Sequence, residues 1–272
     1  MPALHPTTQR HLEQLIAHPA QAILLTGATG AGKGAVAQWL AEQLLETDFE
    51  TYPYGRRLSG GSIELVRELQ HFLSLKVPGN KLTNRVVIME NAHELGIEAQ
   101  NALLKLLEEP PESSVLILTA PSADQLLPTI VSRLQTVSVH TPPLAALQQA
   151  LEAQGINLVN LEKIYPISAG LPGLTHALLT DGEHPLMPAV QTARDILSKT
   201  RYERLLLVDQ LSKDKGLLFD TLSMLQQMAH LALSKGSQGR WQDIMQAAYH
   251  AQELLSQSAQ PKLVLDDLLL NL

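Results

Sequence analysis

Cysteine is absent from the 272 residues, which excludes disulfides and any thiolate zinc centre. Charge is sparse and has the wrong sign for nucleic acid: charged residues make up 17% and the formal net charge is −7. A broad grip on a phosphate backbone needs a basic surface, so any DNA contact has to be local. No apolar run is long enough to cross a bilayer and no signal-peptide core is present. A soluble, cytoplasmic protein with no membrane partner is therefore expected. Internal repeats and low-complexity tracts are missing too. What remains is ordinary globular composition, 45% hydrophobic over 272 residues, long enough for two or three domains with ample core.

A short helix is expected from Thr7 to Ala17, with Leu12, Leu15 and Ile16 on its apolar side. Ile23 to Thr26 reads as a strand. Gly27-Ala28-Thr29-Gly30-Ala31-Gly32-Lys33 then matches G-x-x-x-x-G-K, a loop whose backbone N–H groups approach phosphates closely. The helical pattern Ala35, Val36, Trp39, Leu40, Leu44 follows it, so strand, loop and helix stand in the order a P-loop needs. The next position departs from the pattern. It should carry a serine or threonine hydroxyl for Mg²⁺, and it is Gly34, which also weakens the first helical turn. The phosphate cradle is retained and the metal site is damaged.

Beyond it, a strand is expected around Phe49 to Tyr52, then a loop with Arg56, Arg57, Gly60 and Gly61. Ser62 to Lys76 reads as a helix with Leu65, Val66, Leu69, Phe72 and Leu73 buried, and Pro78 and Gly79 begin the loop after it. The organising stretch runs from Arg85 to Leu134. Val86, Val87, Ile88 and Met89 form a strand buried on both faces, ending on Glu90, where open α/β sheets place ligands. Ala99, Ala102, Leu103, Leu106 and Leu107 fall at helical spacing, and Pro110 stops that helix. A second buried strand, Val115 to Thr119, leads to Ser122-x-x-Gln125, a capping-box start.

NALLKLLEEPP followed by LPTIVSR resembles the AAA+ clamp-loader ATPases of bacterial DNA polymerase III, on the delta-prime side of that family. SIELVRELQHFLSLK and SAGLPGLTHALL resemble it as well. The resemblance implies an α/β AAA+ P-loop domain with a parallel sheet at 1–141, a helical lid at 142–181 and an all-α collar at 182–272. It implies a nucleotide site of Gly27, Gly30, Gly32, Lys33, Gly34, Glu90 and Thr119, holding ATP or ADP with Mg²⁺ weak or absent. Family members often carry a cysteine-rich zinc module, and without cysteine no zinc is carried over here.

Three positions depart from an active AAA+ site. Besides Gly34, the acidic pair at the strand end is Glu90-Asn91, and an amide cannot accept a proton as a general base. General-base catalysis contributes about 10²–10⁴ in rate. Leu174 stands where motor subunits carry a sensor-2 arginine. Glu90 as a solvated strand-end residue, and Thr119 as a threonine with no sensor-1 role, stay open. Arg133, in the family's Ser-Arg position, is the residue expected to reach a neighbour's ATP, since guanidinium matches phosphate oxygens bidentately. A surface salt-bridged arginine is the alternative, and Leu134 replaces the usual cysteine.

From Pro142 onward the patterns are helical: Leu144 to Ala153, Leu161 to Ala169 and Gly173 to Leu179, then a linker from Asp181 to Pro188. Five amphipathic helices follow, Met187–Lys199, Tyr202–Lys213, Gly216–Ser234, Trp241–Ser256 and Lys262–Leu270. They carry no catalytic constellation. His176, His184, His230 and His250 read as structural or solvated. The reading is then a largely hydrolysis-deficient clamp-loader subunit, partnered by gamma/tau, delta, the sliding clamp and primer-template DNA. The alternative is an active gamma/tau-type ATPase. A local duplex contact is expected at the N-terminus of the Ser62 helix, with Arg56 and Arg57 beside it.

Overall fold

Val86 to Met89 and Val115 to Leu118 offer no polar face, and both runs are buried on both sides. The computed structural model describes residues 1–78, 81–237 and 239–271, so Gly79 lies outside the described residues. The chain divides into two compact units, Met1–Pro142 and Pro143–Leu272.

The first unit runs α1 Pro6–Ala17, β1 Ala22–Thr26, α2 Lys33–Leu45, β2 Gly55–Ser59, α3 Ile63–Ser74, β3 Arg85–Glu90, α4 Ile97–Glu108, β4 Ser114–Ala120, α5 Pro128–Val131 and β5 Gln135–Ser138. Its strands form one parallel sheet in the order β2-β3-β4-β1-β5. Parallel neighbours need crossovers, and helices supply them over both faces. On one face Leu24, Val87, Met89, Leu116 and Leu118 pack with Val66, Leu69 and Phe72 of α3 and with Ala99, Leu103 and Leu107 of α4. The alternate residues Ile23, Leu25, Ile88 and Ile117 point the other way, to the side that α2 covers. The α/β fold with a parallel sheet is thus as the sequence implies.

Register decides where the site forms. Met89 is level with Leu118, and Thr26 is level with Ala120. The ends of β1, β3 and β4 therefore leave the sheet along one edge, where Gly27, Glu90 and Thr119 meet.

Several elements differ from expectation. Phe49 to Tyr52 is a turn and the strand is Gly55–Ser59. Phe49 is buried, and its carbonyl lies where a side chain at Gly55 would begin, 2.7 Å from the Cβ position. The aromatic residues thus back the strand instead of forming it. β5 is an edge strand with three of its four residues exposed, so it has no apolar run to announce it. Ser122 makes no cap bond; its hydroxyl turns to Asp124, and only a short 3₁₀ turn, Ala123–Gln125, follows.

The second unit is all helix: α6 Leu144–Ala153, α7 Leu161–Ile167, α8 Pro172–Thr180, α9 Met187–Ser198, α10 Arg201–Leu205, α11 Val208–Leu211, α12 Lys215–Ser234, α13 Arg240–Ser256 and α14 Pro261–Asn271. α12 is its axis, capped by the Asp214 carboxylate accepting from Leu217 N–H at 2.9 Å. It packs on α7, α9 and α13, and α14 lies on α10, α11 and α13. The helix expected over Tyr202–Lys213 is broken at Leu206 and Leu207 into α10 and α11. Thr200 and Glu203 start the first piece with a capping box. No helix among the described residues is long and apolar enough to cross a membrane.

Candidate functional site

The loop between β1 and α2 needs its glycines. Gly27 has φ +150°, Gly30 +81° and Gly32 +86°, the region that favours glycine. A Cβ at Gly27 would also lie 2.5 Å from the Val139 carbonyl oxygen. Gly27 N–H donates to Pro121 O at 3.1 Å, and Ala31 N–H donates to Ala28 O at 3.1 Å, closing a turn. The first turn of α2 follows at once, with N–H groups that have no carbonyl four residues back. Anion affinity at such a place needs no side chain.

Lys33 lies at the first position of α2 and is only 9% exposed. Its Nζ donates to Gly27 O at 2.6 Å and to Ala28 O at 2.9 Å. Burial lowers its pKa from the ordinary 10.5 to about 8, while the two carbonyl acceptors favour the charged form. The ammonium is thus folded onto its own loop. His93, which the sequence did not single out, sits close by on the turn after β3. Burial is the larger cause keeping its imidazole below the usual range; Glu94 opposes that and Lys33 adds to it.

Gly34, Glu90 and Arg57 meet beside this loop. A Cβ on Gly34 would be 2.8 Å from Glu90 Oε1 and 3.9 Å from Arg57 Nη1. Arg57 Nη1 donates to that same Glu90 Oε1 at 2.6 Å. Its Nη2 donates to Gln38 Oε1 at 2.8 Å and to Glu50 Oε1 at 2.9 Å, and the guanidinium lies over Phe49, 5.8 Å from the ring centre. Burial would lower the arginine's pKa, but the bonds to Glu50 and Glu90 outweigh it and hold it above its ordinary value. These residues do not fit a magnesium ion. Gly34 offers no hydroxyl, and the Glu90 oxygen facing it already carries a cation.

Arg57, expected beside the duplex contact, turns from β2 to α2 and the end of β3, where its guanidinium is bonded to Gln38, Glu50 and Glu90. Arg56 pairs with Glu68 at 3.2 Å and lies over Phe72, with both charged side chains about half exposed. Ser62 caps α3, its hydroxyl accepting from Leu65 N–H at 3.3 Å. Gly61 is needed for packing, because a Cβ there would run into the Glu94 carbonyl.

Thr119 is 2% exposed, and its hydroxyl accepts from Asn91 N–H at 3.1 Å. That bond helps hold Asn91 in a left-handed conformation, φ +54°, which asparagine tolerates well. Leu174, which the resemblance would put at the sensor-2 position, is fully buried as an apolar core residue. Arg133 stands just past α5. It donates to Thr129 O at 2.8 Å and to Glu108 Oε1 at 2.8 Å, with the two charged side chains 36% and 52% exposed.

The family described as "DNA polymerase III, delta subunit" matches residues 58–143, a segment that holds Glu90, Thr119 and Arg133 but not the Gly27–Lys33 loop. The delta-prime subunit of DNA polymerase III from Pseudomonas aeruginosa is 31% identical over 203 residues, 63% of this chain and 60% of that protein. The tau subunit from Bacillus subtilis is 36% identical over 77 residues, 28% of this chain and 13% of that protein. The chain thus spans about 60% of the length of the delta-prime relative. A solved Thermotoga maritima protein described as related to the DNA polymerase III gamma subunit aligns over 97% of both chains, at 21% identity and a TM-score of 0.49. On the sequence matches, the chain is similar to delta-prime and gamma/tau subunits of DNA polymerase III, with the family model matching its central segment 58–143.

Proposed function

We propose that this chain is a delta-prime-like clamp-loader subunit that does not turn over nucleotide itself and lends Arg133 to a motor neighbour. Gamma/tau and delta are its partners in that reading, with the sliding clamp and primer-template DNA handled by the assembly. Residues 142–181 act as the lid and 182–272 as the collar that joins the subunits. ATP or ADP is held weakly at the Gly27–Lys33 loop, without hydrolysis.

One contrast carries the reading. At the chain's own site, Gly34 has no metal ligand, Glu90 is paired with Arg57 at 2.6 Å, and Asn91 replaces a base. Arg133 meanwhile stands exposed, held by one exposed carboxylate and one carbonyl. Exposed pairs contribute only about 0–1 kcal/mol, so Glu108 can release the guanidinium to a phosphate on a second protein. The helix end at Gly61, Ser62 and Ile63, with Arg56 nearby, would supply a local contact for a template phosphate.

The test rebuilds the loader with Arg133→Ala and follows single-turnover hydrolysis at the adjacent motor site. An arginine supplied to phosphoryl transfer is worth about 10³–10⁵ in rate, so that site should slow by a factor of this order. Normal hydrolysis in a fully assembled mutant loader would remove the finger role.

A further inference from the structure

If Gly34 simply lost a metal ligand, Glu90 would be left as an uncompensated anion at the end of a buried strand. Glu90 is 29% exposed, so it bears only part of the penalty of a buried charge, and a cation beside it offsets that part. The structure pairs it with Arg57, from the neighbouring strand β2, through Nη1 at 2.6 Å. β2 and β3 are in parallel register with Arg57 level with Ile88. The guanidinium therefore reaches forward two residues along the sheet to the strand end.

We infer that Arg57 is the residue that excludes a divalent cation from this P-loop, its guanidinium taking the place of the ion between Glu90 and residue 34. Three observations converge on it. The donor that faces Gly34 is the same Nη1 that binds Glu90, 3.9 Å from the Gly34 Cβ position. The group is anchored at its other nitrogen by Gln38 from α2 and by Glu50, and it is backed by Phe49. A threonine at 34 would have its Cβ 2.8 Å from Glu90 Oε1. That oxygen could swing away on a free glutamate, but here the arginine pins it. Gly34 and Arg57 thus form one device, the small residue making room for the carboxylate that the arginine holds. A planar five-donor group bound to three acceptors is fixed in place, unlike a lysine in the same position. The inference rests on the reading that this site is non-hydrolytic, and it adds the cause.

The prediction is an interaction between two positions. Full-length wild type, Gly34→Thr, Arg57→Gln and the double variant are compared for protein-bound Mn²⁺ in the presence of ADP, by water-proton relaxation enhancement. Wild type and both single variants bind little. The double variant, with a hydroxyl restored and Glu90 released, binds at least about tenfold more tightly than either single one. Replacing Arg57→Gln by Arg57→Lys in the double variant brings back part of the exclusion. Mn²⁺ binding by wild type, or by Gly34→Thr as tight as by the double variant, overturns the inference. So does a folded double variant that binds none, because something else then keeps the ion out. Should the Gly34→Thr chains fail to fold, wild type decides alone: any ADP-induced shift of its melting midpoint, zero included, is the same in EDTA and in MgCl₂, and a shift that requires MgCl₂ overturns the inference. Hydrolysis is a separate readout. Wild type that holds Mn²⁺ yet releases no phosphate sinks only the Arg57 inference, whereas steady turnover sinks the non-hydrolytic reading itself.

Discussion

Lys33 holds a charge where burial disfavours one, and stability should record it. Its pKa falls from 10.5 in the unfolded chain to about 8 in the folded one. Between those values the unfolded chain binds more protons, so stability rises with pH across that window. The penalty is complete below about pH 8 and gone above about pH 10.5. That difference corresponds to roughly 3–4 kcal/mol at most, reduced by the two loop carbonyls that accept from the ammonium. Urea unfolding of wild type and Lys33→Met from pH 7 to 10.5 checks this: the difference between them should change in favour of wild type as pH rises, and a constant difference would show that the lysine is not strained. Arg133 makes the opposite case. Its pair with Glu108 is exposed, so Arg133→Ala should alter the chain's own stability by no more than about 0.5 kcal/mol. A loss of several kcal/mol in the same unfolding assay would mean that the residue is structural.

Among the elements, α3 and α4 show which local signals decide. Ser62 caps α3 with one side-chain bond, so Ser62→Ala should cost about 1 kcal/mol, read from the shift in urea midpoint. Leu103, fully buried between α4 and the sheet, should cost about 2–5 kcal/mol as Leu103→Ala. The same signals explain what the sequence reveals. β1, β3 and β4 are legible because strands buried on both faces must be apolar throughout, and α4 because its stripe is regular and Pro110 ends it. β5 is not legible, since Gln135, Thr136 and Ser138 at an edge need no apolar face. Phe49 and Tyr52 favour strand intrinsically, yet tertiary packing against Gly55 puts the strand elsewhere. The site divides in the same way. The loop Gly27–Lys33, Gly34 and Glu90 are visible as local spacing. Arg57 reads as a surface cation, because its pairing with Glu90 spans 33 residues and depends on strand order, which no local pattern encodes.

For the whole molecule, the division into Met1–Pro142 and Pro143–Leu272 gives each unit its own core. The sequence carries two tryptophans, Trp39 in the first unit and Trp241 in the second, and each reports on its own core. Leu103→Ala should shift the transition seen by Trp39, and Leu225→Ala the one seen by Trp241, each measured with the other tryptophan replaced by phenylalanine. Equal shifts at both probes would instead mean one cooperative transition. The proposed function follows the same partition, placing nucleotide binding at one edge of the sheet in the first unit. The central claim is that this edge keeps the cradle and has lost the means of turnover. Phosphate release from ATP by the isolated chain, in parallel with Lys33→Ala, tests it most directly. The account predicts release by wild type that is indistinguishable from that of Lys33→Ala. Steady turnover by wild type that Lys33→Ala abolishes would contradict it.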